Sequence, residues 1–423
     1  MSFDVIAILI AITAIFSFLN VRHFRLPSTI GVLAIALVFS VLVIVAGKAG
    51  IPWVDTAATG FLRRIDFNRM LLHGLLAYLL FAGGLNLKIP QLSEQKGAIA
   101  LLSTLGVAIS TLVVAAGTWF VLRVAGIPIP PIAALLFGAL VSPTDPVAVL
   151  AILRTLTIPS SLEAQIGGES LFNDGVGAVV FMVLLQIATS PVHIGALEAV
   201  KLLAMETAGG IVFGLAAGLL TYWLLAQVDD YKVEILLTLG LASGGSALAD
   251  RIGVSAPIAI VVAGLLIGNE GREKAMSKET RSHLDVFWEV VDEILNAILF
   301  LLIGAELLVV PLNGGYGVAA LVAVPLVLIA RLVSVAAVVL MLSPFRSFEH
   351  GTIPVLTWSG LRGGISVALA LSVPYLSYRD TIITMTYAVV IFSIIVQGLT
   401  IRSVILRTIP SVQREEEPKA TSR

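Results

Sequence analysis

Long apolar runs recur along almost the whole chain, from Val5 to Ile401, and they constrain its fold more than any other feature. A bilayer core about 30 Å thick is crossed by a helix of about 20 apolar residues. Hydrophobic residues make up 58% of the 423 residues and charged residues 13%. A soluble protein carries about twice that charge. The sequence therefore predicts an all-α integral membrane protein in contact with lipid, and nucleic acid is not an expected partner.

The hydropathy pattern predicts about thirteen transmembrane spans, with twelve or fourteen as alternatives because one run is short. The spans cover about 4–21, 29–47, 69–87, 98–122, 131–153, 161–189, 201–227, 233–249, 255–268, 286–310, 316–342, 352–373 and 380–401. Residues 1–410 are predicted to form one transmembrane domain. Residues 411–423 are predicted to be a short, charged and disordered cytoplasmic tail.

The distribution of basic residues predicts the orientation, because cytoplasmic loops collect Lys and Arg. With the N-terminus outside, the inner loops and the tail hold sixteen Lys or Arg and the outer loops hold eight. The N-terminal run lacks the basic region of a cleaved signal peptide, so we expect it to remain as the first span. The prediction is an N-terminus outside and a cytoplasmic C-terminus.

Asp174 places a carboxylate inside an apolar stretch that extends from Leu162 to Ile187. An ionised Asp at the bilayer centre costs about 3 kcal/mol or more, so intramembrane acids usually line an ion or proton path. Ser170 lies four residues before Asp174 and therefore faces the same side of a helix. We interpret Asp174 as the working residue of a transporter.

Two predicted spans contain residues that interrupt helices. Segment 142–146 reads Ser-Pro-Thr-Asp-Pro, and segment 359–364 reads Ser-Gly-Leu-Arg-Gly-Gly. The prolines leave backbone carbonyls unpaired at membrane depth, where they can bind a cation, and the glycines loosen the second helix. Interrupted helices at corresponding positions of two inverted repeats indicate a transporter's binding site. We predict such repeats in spans four to six and eleven to thirteen.

The same residues predict a cation site, because an alkali cation prefers several oxygen ligands. Asp174, the Ser170 hydroxyl and a freed carbonyl near Thr144 provide them. Asp145 adds a second carboxylate or a hydrogen bond. No cysteine is present, which excludes thiolate chemistry and cysteine-ligated zinc.

Further polar residues at membrane depth are expected to support this site. Glu169 needs a cation beside it in hydrocarbon, and Arg362 is expected to neutralise it in a charge-assisted pair. Asn173 is expected to brace that pair without adding charge. Glu306 and Arg331 are left without an assigned role, and pairing with each other is one possibility.

Two other classes of protein were weighed against a transporter. A passive cation channel also uses buried acids and broken helices, but a selectivity filter recurs in symmetric copies around a pore, and no such element is found. An intramembrane enzyme is not expected, because no His-Glu-x-x-His or Gly-x-Ser-x-Gly motif occurs. The glycines at 210, 214 and 218 predict close helix packing, within the chain or in a dimer.

Three motifs together resemble the monovalent cation:proton antiporter family, in particular its prokaryotic sodium/proton exchangers with an Asn-Asp pair. They are Gly-Glu-Ser-Leu-Phe-Asn-Asp-Gly at 168–175, Ser-Pro-Thr-Asp-Pro at 142–146 and Gly-Leu-Arg-Gly-Gly at 360–364. The resemblance covers nearly the whole chain. One departure is segment 81–84, which reads Phe-Ala-Gly-Gly where many relatives have an acidic residue in the third span.

The resemblance implies a homodimer in a prokaryotic cell membrane, with a core domain that moves against a dimer domain. It also implies electroneutral exchange of one Na⁺ for one H⁺ without a cofactor, with Asp174 as the shared carrier. The other residues carried over are Ser170, Thr144 and Asp145 at the cation site, and Glu169, Asn173 and Arg362 in the supporting network. Because Na⁺ and H⁺ compete for one carboxylate, exchange is obligatory if only a neutralised Asp174 reorients. Selectivity for Li⁺ or K⁺ is an open alternative.

Overall fold

The computed structural model describes residues 3–62, 64–153, 156, 158–190, 195–310, 316–374 and 376–409. Within these ranges the chain is helical, without strands. The first helices are α1 (Phe3–Phe24), α2 (Ser28–Lys48), α3 (Pro52–Leu62), α4 (67–86), α5 (89–124), α6 (Pro131–Val141), α7 (Val147–Leu153) and α8 (Ser160–Thr189). The others are α9 (Ala196–Leu225), α10 (Tyr231–Ile252), α11 (256–274), α12 (Lys278–Glu306), α13 (Gly317–Leu342), α14 (Thr352–Trp358), α15 (Gly364–Ser372) and α16 (Arg379–Thr408). The predicted tail at 411–423 lies outside the described residues.

Eight of these helices are long and apolar enough to cross a membrane, namely α1, α2, α5, α8, α9, α10, α13 and α16. Large apolar side chains cover their outer surfaces, and Val38, Phe120 and Leu321 are 60%, 63% and 77% exposed. A soluble protein rarely exposes apolar surface on this scale, whereas lipid requires it. The predicted all-α membrane protein is confirmed, and the number thirteen stays a prediction.

The helices pack into two groups with a seam between them. Helices α5 to α8 and α13 to α16 form the first group, which we call the core bundle. Helices α1 to α4 and α9 to α12 form the second group, the flanking bundle. Helix α8 lies at the seam, because it packs on α5 and α6 in its own bundle and on α9 and α11 in the other.

The glycines of α9 allow a close helix contact in the flanking bundle. A Cβ atom added at Gly210 would lie 2.7 Å from the Ser255 carbonyl oxygen, and one added at Gly214 would lie 2.4 Å from that of Ala259. Real Cβ atoms do not approach so closely, so only glycine permits this contact between backbones. The predicted close packing is confirmed within the chain.

Both predicted helix interruptions are present. Helix α6 ends at Val141 and α7 begins at Val147, and α14 ends at Trp358 before α15 begins at Gly364. Each broken helix follows one continuous helix and precedes another, as α5, α6/α7 and α8 and again as α13, α14/α15 and α16. The two unwound segments therefore occupy corresponding positions in two triplets of the core bundle.

Candidate cation site

The two unwound segments contact each other directly. The backbone N–H of Asp145 donates to the carbonyl oxygen of Leu361 at 2.8 Å. Nη1 of Arg362 donates to the carbonyls of Ser142 and Pro143 at 2.8 and 2.7 Å. These two carbonyls are freed by the break, as the sequence predicts, but a guanidinium group occupies them. Each unwound segment therefore supplies hydrogen-bond partners for backbone groups that the other break leaves unpaired.

Helix α8 adds two polar side chains to this crossing. The hydroxyl groups of Ser170 and Thr144 lie 2.8 Å apart. Oδ1 of Asn173 accepts from the Thr144 N–H at 3.1 Å, and its Nδ2 donates to the Thr144 hydroxyl at 2.9 Å. The prediction that Asn173 braces an ion pair is therefore wrong. Its amide instead holds Thr144, which lies between the two prolines of the break.

Asp174 and Asp145 line one cavity and are both half-buried. Asp145 repels Asp174 electrostatically, and Arg362 attracts it. Oδ1 of Asp145 accepts from the backbone N–H of Val147 at 2.9 Å, which satisfies a free donor at the first turn of α7. Asp145 is therefore fixed by the backbone, whereas Asp174 extends from the middle of a long helix.

The cavity has a volume of about 480 Å³ and lies between the two bundles. It touches α8 along its first half, from Glu163 to Asp174. On the opposite wall the flanking bundle contributes further acids. They are Glu289, Asp292 and Glu293 of α12. A cation that enters from this side meets carboxylate oxygens before it reaches Asp174, and their field favours positive charge.

Two glycines allow the approach of the segments that form the site. A Cβ atom added at Gly363 would lie 1.9 Å from Oδ2 of Asp145. One added at Gly177 would lie 2.2 Å from Cγ of Pro143. Neither glycine has a positive φ angle, so the requirement for glycine at these positions is steric.

Glu169 pairs with Arg331 of α13, which corrects the predicted pair with Arg362. Nη1 of Arg331 donates to Oε1 of Glu169, and Nη2 donates to Oε2 at 2.9 Å. Arg331 also donates to the carbonyl of Leu356 in α14. Glu169 and Arg331 are 1% and 5% exposed. Arg362 feels the charge of Glu169, but its hydrogen bonds go to the carbonyls of the first break.

The possible ion pair between Glu306 and Arg331 is not formed either. Glu306 ends α12 in the flanking bundle, and the positive charge that acts on it is Arg379 at the start of α16. The sequence did contain a signal for Arg331, because an arginine within an apolar helix pairs with an acid or with backbone carbonyls. That signal does not say which helix supplies the acid.

Comparisons of the sequence with known proteins identify its family. A family model described as the transmembrane part of sodium/hydrogen exchangers matches residues 8–407. The Na⁺/H⁺ antiporter NhaP of Pseudomonas aeruginosa is 46% identical over 412 residues, which cover 96% of each chain. The Na⁺/H⁺ antiporter NhaH of Halobacillus aidingensis is 32% identical over 366 residues, which cover 86% of this chain and 89% of the relative.

A solved structure shares the fold. The sodium proton antiporter MjNhaP1 from Methanocaldococcus jannaschii, determined at pH 8, superimposes with a TM-score of 0.76 at 19% identity. The match covers 96% of this chain and 97% of that chain. At this identity the likeness establishes the fold, and the full-length relatives establish the family. The chain belongs to the transmembrane sodium/hydrogen exchanger family and is a monovalent cation:proton antiporter.

Proposed function

We propose that this antiporter exchanges one Na⁺ for one H⁺, with Asp174 as the shared carrier of both ions. One observation carries the proposal. Asp174 lies half-buried on the wall of a cavity that Asp145 of the first break and Gly363 of the second break also line. A carboxylate in this position is reached by ions from one side and is surrounded by protein on the other. The full-length relatives named as Na⁺/H⁺ antiporters support the choice of Na⁺.

We assign the cation ligands to Asp174, the Ser170 hydroxyl, the Thr144 carbonyl and Asp145. The short contact between Ser170 and Thr144 supports this set, because it brings the hydroxyl oxygens of α8 and of the first break together. The pair of Glu169 and Arg331 holds α8 against α13. Asn173 and Arg362 hold the first break in place.

Competition for one carboxylate then couples the two fluxes. Na⁺ and H⁺ each neutralise Asp174, and an unloaded charge is costly to carry across the barrier. Asn173 is neutral, so one titrating acid on α8 accounts for the exchange and no net charge moves. The seam between the bundles supports movement of the core bundle against the flanking bundle. We assign the flanking bundle to the interface of a homodimer, with the N-terminus outside and the C-terminus in the cytoplasm.

Proteoliposomes with an imposed pH gradient test this proposal. Addition of Na⁺ is expected to dissipate the gradient with the parent protein but not with Asp174→Asn. The matched control is Asp4→Asn, the same change at an exposed position of α1, which is expected to behave like the parent. Li⁺ and K⁺ are added in separate runs. A response to K⁺ and not to Na⁺ would make K⁺ the substrate in place of Na⁺. Full activity of Asp174→Asn would overturn the role of Asp174 as the shared carrier.

A further inference from the structure

The chain passes between the two bundles at three places, and one of these connections is much shorter than the others. Helix α4 of the flanking bundle is joined to α5 of the core bundle by Leu87 and Lys88 alone, which we call the short link. The other two connections comprise residues 190–195 and 307–316. Movement of one bundle against the other is therefore most restricted at the short link.

The backbone of the short link is already extended. The φ and ψ angles are −82° and 132° at Leu87 and −91° and 118° at Lys88, which places both residues in the β region. Two extended residues span about 7 Å. Because the link has no slack, the bundles can turn about it but cannot draw apart there.

The side chain of Asn269 in α11 holds both ends of the short link. Its Oδ1 accepts from the backbone N–H of Ile89 at 2.8 Å, and its Nδ2 donates to the carbonyl of Leu87 at 3.0 Å. Nδ2 also donates to the carbonyl of Leu265, one turn earlier in α11, at 2.9 Å. The amide thus uses its oxygen and both of its N–H donors, which fixes its orientation. The groups it meets lie at helix ends, where the backbone has no partner within the helix.

Asn269 belongs to a part of the flanking bundle in which α4 and α11 are in close contact. Nη1 of Arg272 donates to the carbonyl of Leu85, in the last turn of α4, at 3.0 Å. A Cβ atom added at Gly268 would lie 2.3 Å from the same carbonyl oxygen, so the two backbones touch. The amide of Asn269 is therefore a fixed point of the flanking bundle.

The short link also borders the site of exchange. Leu87 and Lys88 line the same cavity as Asp174. Helix α5, which follows the link, packs on α8, the helix that carries Asp174. A turn of α5 about the link therefore moves Asp174 relative to the flanking bundle.

We propose that Asn269 is a positioning residue for exchange and that it makes the start of α5 the pivot on which the core bundle turns. The proposal rests on the bundle movement proposed above. The side chain of Asn269 keeps Ile89 on α11 while the remainder of the core bundle changes its position. Loss of this anchor is expected to slow the movement without altering the oxygens that bind the ion.

Hydrogen–deuterium exchange of the full chain in nanodiscs tests the anchor. In Asn269→Ala the amide of Ile89 is expected to exchange about tenfold faster than in the parent, the factor that corresponds to one hydrogen bond. Glu270→Ala changes the next residue of α11, which is exposed, and is the matched control. Asp174→Asn is expected to leave Ile89 protected, so failure of the anchor is distinguished from failure of the proposed exchange. Parent-like protection of Ile89 in Asn269→Ala would overturn the anchor.

Transport kinetics test the positioning role. The maximal rate of Na⁺-dependent exchange in proteoliposomes is expected to fall about tenfold in Asn269→Ala, because bundle movement limits turnover and depends on the lost hydrogen bonds. The KM for Na⁺ is expected to stay near that of the parent, since Asn269 does not contact the cation ligands. A raised KM with a parent-like maximal rate would overturn the positioning role.

Spin labels on pairs of introduced cysteines test the pivot with Asn269 intact, because the chain has no cysteine of its own. The near pair joins Ser93 of α5 to Glu273 of α11, both exposed and close to the short link. The far pair joins Thr189 at the end of α8 to Ile252 at the end of α10, which are also exposed. Double electron–electron resonance compares both distances at saturating Na⁺ and in Na⁺-free acidic buffer. The far distance is expected to change more than the near one, and a near distance that changes as much as the far one would overturn the pivot.

Discussion

Glu169 and Arg331 form a two-pronged ion pair that joins α8 to α13 across the core bundle. The two residues are 162 positions apart in the chain and both are buried. The same guanidinium group also holds the carbonyl of Leu356 in α14. Arg331 therefore ties the helix of Asp174 to the second broken helix, and the position of the carboxylate depends on a residue far from it in sequence.

The first prediction concerns this ion pair. Arg331→Met leaves the carboxylate of Glu169 buried without its partner, which typically lowers the free energy of unfolding by about 3–5 kcal/mol. Glu169→Gln/Arg331→Met removes both charges and is expected to regain part of that loss. Thermal unfolding in detergent, followed by tryptophan fluorescence, measures both effects. Lys274→Met breaks the exposed pair with Glu270 and is expected to change little. Equal effects of Arg331→Met and Lys274→Met would contradict the prediction.

The second prediction concerns the steric requirement at Gly363. Gly363→Ala places a methyl group onto the Asp145 carboxylate, so the crossing of the two breaks must shift. We expect Na⁺-dependent exchange to fall on the order of tenfold to a hundredfold, because small displacements at a reacting centre have such effects. Gly97→Ala meets no atom within 4 Å and serves as the control. The rate of Na⁺-dependent exchange in proteoliposomes measures this effect. Exchange at the parent rate in Gly363→Ala would show that Asp145 does not lie against Gly363.

The third prediction concerns the Thr144 hydroxyl, which Asn173 and Ser170 both contact. Thr144→Val keeps the shape but leaves the Asn173 amide and the Ser170 hydroxyl without this partner, at a cost of about 1–3 kcal/mol. We expect the KM for Na⁺ to rise by about tenfold, since about 1.4 kcal/mol corresponds to one power of ten. Thr144→Ser keeps the hydroxyl and is expected to retain a KM near that of the parent. If both variants raise the KM equally, the hydroxyl contacts do not position the site.

The fourth prediction concerns pH. A proton on Asp174 must leave before Na⁺ binds, so the apparent KM for Na⁺ is expected to rise as pH falls. In the range where Asp174 is mostly protonated, the rise approaches about tenfold per pH unit. Initial exchange rates at several Na⁺ concentrations and pH values measure it. A KM for Na⁺ that stays constant over three pH units while exchange continues would contradict competition for one carboxylate.

Local signals in the sequence predicted both helix breaks and distinguished Asp174 from the apolar residues around it. The prolines at 143 and 146 and the glycines at 360 and 363 are each clustered within four residues and disfavour a continuous helix there, so both breaks could be predicted. An acid in an apolar run is costly, so Asp174 was identified before any contact was known. These features depend on the chemistry of a few neighbouring residues and not on the packing of the bundles.

The partners of the buried charges were not predictable in the same way. Arg331 and Arg362 both lie in predicted apolar spans, and from the sequence alone Glu169 is a possible partner for either of them. The choice depends on which helices lie side by side and on the freed carbonyls of Ser142 and Pro143, which attract Arg362.

The contact between the two breaks has a consequence for the electrical balance of the site. A helix carries about half a negative charge at its C-terminal end and about half a positive charge at its N-terminal end. Arg362 donates to carbonyls just beyond the C-terminal end of α6, and Asp145 accepts at the N-terminal end of α7. Each helix dipole thus has a counterion supplied by the protein itself. The charges of Arg362 and Asp145 are therefore balanced by the protein with or without a bound ion. Under the proposed exchange, Asp174 is the carboxylate that a bound ion neutralises.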